Sequence, residues 1–219
     1  MFTRREANAA LIGGITLVAM TPASGQSEQI VKLPPAQTDG GKPLMQALKM
    51  RQSTRMYGDR PLPPQVLSNL LWAAWGVNRP ETGLRTAPSW RGRAHVDLYL
   101  AMQDGVWIYD AKAHQLVLHT KEDLRADTTT EQPFVRTAPL NIVYVADADR
   151  LEEKSPENRT IAGVADTAMI GQNVYLYCAS EGLACVIRGL VPREKLATRL
   201  NLRPSQTIYL AQTVGYPKA

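Results

Sequence analysis

The sequence predicts one α+β domain over residues 43–219, and three observations predict it. Helical and strand periodicities share the chain without the regular strand–helix–strand rhythm of a parallel sheet. Three strand-like segments follow one another from Val96 to His119, and Asp104-Gly105 between the first two is a strong hairpin signal. No G-x-G-x-x-G is present, which disfavours a doubly wound dinucleotide-binding sheet.

The first 25 residues are set apart. Arg4-Arg5 is followed by a mildly apolar run from Ala7 to Met20 and by the small residues Thr21-Pro22-Ala23-Ser24-Gly25. A charged start, a short apolar stretch and a small-residue exit describe a cleaved export signal, not a spanning helix. The paired arginines suggest the twin-arginine route, although Glu6-Ala7-Asn8 departs from the apolar residues expected there. The mature protein is therefore expected to be periplasmic or secreted, with a cytoplasmic location as the alternative. Residues 26–42, with Pro34-Pro35 and Gly40-Gly41, read as an extended arm.

A short helix is expected from Pro43 to Lys49, with Leu44, Ala47 and Leu48 on one face. A second opens at Pro63-Pro64, carries Leu67, Leu70, Leu71, Ala74 and Trp75 at helical spacing, and closes at Gly76. Residues 77–93 form a long polar connection, a kind that is often functional. The strands then run through Val96, Leu98 and Leu100, through Val106–Tyr109 and through Gln115–His119. A short helix is expected from about Thr128 to Val135, and a mostly apolar central strand over Leu140–Val145. The long helix spans about Arg159 to Glu181, where Ala162, Ala165, Ala168 and Gly171 permit close packing, and Gly182 stops it. A strand at Leu183–Ile187, a helix from Pro192 to Leu200 and a last strand at Thr207–Val214 complete the domain.

Composition limits the function. The chain has 219 residues, 44% hydrophobic and 21% charged, with a net charge of +5. That supports a real core and suits an anionic ligand. No basic run with interleaved aromatics points to nucleic acid. No stretch reaches the roughly 18 apolar residues of a membrane span, and no stable membrane anchor is expected. The three histidines fit strand ends and turns, and the two cysteines, Cys178 and Cys185, lack metal spacing, so no metal site is expected. No G-x-S-x-G occurs and no acid–base triad is evident, so no side chain is assigned as catalytic.

The stretch that carries chemistry is Arg51-Gln52-Ser53-Thr54-Arg55. Two guanidiniums and two hydroxyls at the end of a helix form a set of donors suited to phosphate oxygens. By itself the motif also describes a solvated basic turn.

Five pieces in order give it weight. They are Arg51–Arg55 after the first helix, Ala87-Pro88-Ser89 after the second, and Gln172-Asn173 in the long helix. Gly182-Leu183-Ala184 leading to Arg188-Gly189 is the fourth, and the terminal Gly215-Tyr216-Pro217-Lys218 is the fifth. Together they resemble the nitroreductase family of flavoproteins over nearly all of the mature chain. Residues 85–110 look most like the branch that includes dehydrogenases of thiazole- and oxazole-forming peptide maturation. The resemblance implies a central mixed or antiparallel sheet flanked by helices, in a homodimer with FMN at the subunit interface. It implies that Arg51, Arg55 and Lys218 hold the phosphate and ribityl end, and that Gln52, Ser53 and Gln172 lie at the cofactor. Pro88 and Ser89 would approach from the partner chain, and the backbone at Arg188-Gly189 would face the reactive flavin nitrogen. Two departures concern the substrate pocket: Arg188 stands where many members are acidic, and Trp90-Arg91-Gly92 where many carry asparagine. The activity implied is a two-electron transfer between a small-molecule donor and a small organic acceptor such as a nitroarene or quinone. Alternatives are an azoline-type peptide dehydrogenase and a non-catalytic FMN-binding protein.

Overall fold

The computed structural model describes residues 29–218. The expected export signal lies outside them. In chain order the elements are β1 (Ile30–Lys32), α1 (Leu44–Met50), α2 (Pro64–Trp75), β2 (Val77–Arg79) and β3 (Leu84–Arg85). Next come β4 (Val96–Met102), β5 (Gly105–Asp110), β6 (Gln115–Thr120), β7 (Leu140–Asp147), α3 (Ala148–Leu151) and α4 (Pro156–Glu181). β8 (Ala184–Arg188), α5 (Arg193–Arg199) and β9 (Gln206–Gly215) complete the set.

Seven strands form one sheet in the order β1-β6-β5-β4-β7-β9-β8. Every pairing in it is antiparallel. Apolar residues occupy both faces of β7, because each face is covered. Leu140, Ile142 and Tyr144 pack with Leu70, Leu71 and Trp75 of α2 and Ile170, Val174 and Cys178 of α4. Val143 and Val145 pack on the other side with Leu196 of α5 and with Leu200.

Helix α4 positions the candidate site. Ser155 caps it by accepting from the Asn158 amide, Pro156 opens it, and Gly182 closes it in the left-handed region. Gly171 sets how closely it approaches the sheet. A Cβ there would stand 2.6 Å from Ile187 Cδ1 and 3.2 Å from Gln212 Oε1. Of the small residues expected to allow close packing, Ala162 and Gly171 face the core, and Ala168 is exposed.

The structure departs from the sequence expectation in four places. The segment expected as a free arm contributes β1, which pairs with β6, and Pro34 O accepts a hydrogen bond from Ser68 of α2. Three edge residues give too short a period-2 signal to be read locally. The connection 77–93 contains the β2–β3 hairpin and a 3-10 turn at Trp90–Gly92. The helix expected near 128–135 is two 3-10 turns, Arg125–Thr128 and Pro133–Arg136. The first hairpin turns at Gln103-Asp104, one residue early. Gly105 begins β5 with φ +136, where a Cβ would meet Thr120 O at 2.3 Å.

Candidate functional site

The motif 51–55 leaves the end of α1 and runs along the outer edge of β8. The Thr54 amide donates to Cys185 O at 2.9 Å. Edge strands present unpaired backbone groups, and here the motif occupies one of them. The next takes a side chain: the Ile187 amide donates to Tyr175 Oη at 2.9 Å. The same hydroxyl lies 2.8 Å from Ser53 Oγ. The Arg51 guanidinium sits over the Tyr175 ring, 5.2 Å from its centre. Tyr175 thus joins the motif to α4 and β8 at once. Sequence reasoning missed it, since a hydrogen bond between residues 122 apart leaves no local signature. The one available signal was an aromatic residue a helical turn beyond Gln172.

The C-terminal segment arrives at the same place. Tyr57 and Pro217 form an antiparallel bridge, Gly58 N donates to Tyr216 O at 2.9 Å, and Lys218 N donates to Met56 O at 3.2 Å. Lys218 therefore lies beside Arg55 in space. Gln52, Ser53, Arg55 and Lys218 are exposed and Arg51 is half-buried. Among the described residues, Arg51, Arg55 and Lys218 form no ion pair. A cavity of about 200 Å³ opens here, with Gln52, Thr54, Tyr175 and Pro217 in its wall. Gln172 is exposed on α4, one turn before Tyr175.

Arg188 and Gly189 follow β8, and here one expectation needs correction. The Arg188 side chain does not face a ligand cavity. It is 3% exposed and donates to Thr213 Oγ1, Thr128 O, Thr128 Oγ1 and Asn141 Oδ1. Strand alternation turns it into the sheet interior, where those neutral acceptors hold it. Burial pulls its pKa down to about 10, with Tyr57 acting in the other direction, so the guanidinium stays charged at neutral pH. Only its backbone remains a candidate for cofactor contact. Gly189 is exposed, has no left-handed φ, and would seat a Cβ with nothing within 4 Å. Neither the fold nor the chain's own packing requires glycine there; a close approach from outside the chain would.

Pro88 and Ser89 line a different cavity, of about 530 Å³, bounded by the β2–β3 hairpin and residues 86–94. Within one chain they are not brought to the motif. Their loop is fixed from behind: Trp90 N donates to Asp166 Oδ2 of α4 at 2.8 Å, and His95 Nδ1 lies 3.4 Å from the same oxygen. Burial raises the Asp166 pKa, while the Trp90 amide and His95 act to lower it. A further cavity of about 530 Å³, between β1, the start of α2 and Trp107, includes none of the candidate residues. His95, His114 and His119 serve in structural hydrogen bonds, to Arg93 O, Tyr109 and Leu200 O respectively.

The residues fit a phosphate-bearing flavin on three counts. Arg51, Arg55 and Lys218 lie near one another with no ion pair among the described residues, the Gln52 amide and Ser53 hydroxyl stand between the two arginines in the motif, and the open backbone at Gly189 follows the end of β8.

Comparison with known proteins identifies the family. The nitroreductase family profile matches residues 48–216. A structure from Ralstonia eutropha, named as a nitroreductase, is 42% identical, covers 90% of this chain and 94% of its own, and superposes with a TM-score of 0.83. A Methanocaldococcus jannaschii protein assigned by name to the nitroreductases is 28% identical over 155 residues, covering 67% of this chain and 78% of the relative. A Clostridium novyi nitroreductase-family structure, 16% identical with a TM-score of 0.60, shares the fold over 81% of this chain and 86% of its own. Nearly all of the described domain is covered, and the chain belongs to the nitroreductase family, whose members are oxidoreductases and generally flavin-dependent.

Proposed function

We propose that this chain binds FMN and transfers two electrons between a donor and a small organic acceptor, such as a nitroarene or quinone. The observation that carries this reading is the convergence of Arg51 and Ser53 on Tyr175 at the edge of β8, with the Lys218 backbone paired to Met56 next to Arg55. Arg51, Arg55 and Lys218 would neutralise the phosphate, whose charge is about −1.5 to −2. Ser53 and Gln52 offer neutral hydrogen bonds beside them. The exposed backbone at Gly189 leaves room for a flat ring to lie against β8. FMN, when bound, supplies the redox chemistry, and this explains why no side-chain triad is needed.

The same reading makes the protein a two-fold dimer. Large apolar side chains are exposed on α1 (Leu44, Met45, Leu48) and on α4 (Ile161, Val164), two helices that pack side by side. An isologous contact through these helices would cover that surface and carry Pro88-Ser89 of one chain toward the partner's site. Arg4-Arg5 favours export, and because nicotinamide donors are scarce outside the cytoplasm, slow reduction by NADH or NADPH and faster reduction by another donor, such as a quinol or a redox partner, is expected. No described helix is long and apolar enough to cross a membrane.

Purification tests the reading. The expected result is a yellow dimer with one FMN per chain that a donor bleaches and a quinone or nitroarene restores. A colourless protein that takes up no FMN would reject it, and a yellow protein that never turns over would reduce it to a flavin-binding role.

A further inference from the structure

The cavity beside Pro88-Ser89 has a distinct electrostatic character. Arg79 and Arg85 line it together with Thr86 and Ser89, and no aspartate or glutamate does. Neither arginine forms an ion pair among the described residues. Arg79 donates to Arg85 O at 2.6 Å and to Asn78 Oδ1 at 3.1 Å, which holds its guanidinium against the hairpin. Arg85 donates to Trp75 O at 2.9 Å and lies over the Trp75 ring, 4.9 Å from its centre. Its Nε is buried with no hydrogen-bond partner among the described residues. Asp97 and Asp110 act on the Arg85 guanidinium only from beyond ion-pair distance, and a half-buried guanidinium with an unmet donor and no direct counter-ion is costly unless something arrives to pair with it.

We propose that this cavity is a substrate subsite in which Arg79 and Arg85 recognise the carboxylate of a small aromatic acid. A carboxylate accepts two parallel N–H bonds from a guanidinium fork, which a neutral group of the same shape cannot match. Leu84, Ala87 and Pro88 supply an apolar wall for the ring, and the volume of about 530 Å³ lies within the usual range for small-molecule sites. The subsite is separate from the phosphate cluster, since Arg51, Arg55 and Lys218 do not line it. Its role as a substrate site rests on the reading that Pro88-Ser89 stand at the partner's flavin.

The test is isothermal titration calorimetry of the FMN-loaded dimer with para-nitrobenzoate and its neutral isostere para-nitrobenzamide. Wild type is expected to bind the acid at least about tenfold more tightly than the amide, the equivalent of one charge-assisted contact. Arg79→Gln and Arg85→Gln should each collapse that preference, and Arg85→Lys should restore part of it. Arg79 is exposed, so its variant keeps the test independent of folding. Equal binding of acid and amide by wild type, or a preference that survives both glutamine variants, overturns the proposal while leaving FMN binding untouched. The same titrations on protein without FMN separate the two readings. An arginine-dependent preference in a protein unable to bind FMN upholds the carboxylate site and overturns its role as a flavin substrate site.

Discussion

Replacing Tyr175 with phenylalanine removes one oxygen from the point where α4, β8 and the arginine motif meet. The ring stays under Arg51, so the guanidinium–aromatic contact is kept. What is lost is the acceptor of the Ile187 amide at 2.9 Å and the partner of Ser53 Oγ at 2.8 Å. Ser53 is exposed and can turn to water, whereas Tyr175 is only 8% exposed and Ile187 is half-buried. The main cost is therefore one under-satisfied amide, about 1–2 kcal/mol. In a domain of this size each kcal/mol shifts Tm by about 2–4 °C, so Tm should fall by about 2–8 °C. Ser53→Ala leaves Ile187 paired and should cost under about 1 kcal/mol. The double variant should cost less than the sum of the two, since both remove the same hydroxyl contact. Calorimetric melting of the four proteins without FMN reads this directly. An unchanged Tm in Tyr175→Phe, or strict additivity, would refute the junction.

Three further outcomes follow from the same geometry. Gly189→Ala should leave stability within about 0.5 kcal/mol of wild type, as for other unencumbered surface changes, yet weaken FMN binding. Urea melts and flavin titration read the two effects, and unaltered FMN affinity would remove Gly189 from the site. For Asp166, burial raises the folded-state pKa above the unfolded one, so the folded protein takes up the proton first as pH falls. The stability difference, wild type minus Asp166→Asn, should therefore increase between pH 7 and the acid range in urea melts; a constant or shrinking difference contradicts the buried carboxylate. Replacing both Arg4 and Arg5 with lysine should retain the precursor inside the cell in a fractionation assay, and undiminished export would sink the twin-arginine proposal.

The long-range order of the site was legible where short segments each had a local cause. Pro64 and Gly76 bracket α2, Gly182 ends α4, and alternating apolar residues mark β4 to β6, so those elements could be read directly. The arginine motif and the terminal Lys218 were also legible, and the fold brings them together through backbone pairing of residues 56–58 with 216–218. Tyr175 was not, because its role depends on a register between α4 and β8 that Gly171 sets. Arg188 misled for the opposite reason. Its neighbour Gly189 marks an open surface, but alternation along β8 sends the arginine inward to Asn141 and Thr128, acceptors on segments distant in sequence.

The central claim is that the exposed cations at the end of α1 and at the chain terminus hold the FMN phosphate. Titration of the apoprotein by flavin fluorescence quenching tests it most directly, with FMN and riboflavin as paired ligands and Arg55→Ala beside wild type. Arg55 is exposed and forms no ion pair among the described residues, so the substitution should not disturb the fold. Loss of one charge-assisted contact of about 1.5–3 kcal/mol should weaken FMN binding by roughly ten- to a hundredfold. Riboflavin, which has no phosphate, should bind both proteins equally, and Arg55→Lys should recover only part of the loss because an ammonium lacks the planar fork. FMN binding in Arg55→Ala as tight as in wild type, or an equal weakening of riboflavin, would contradict the account and return the motif to a solvated turn.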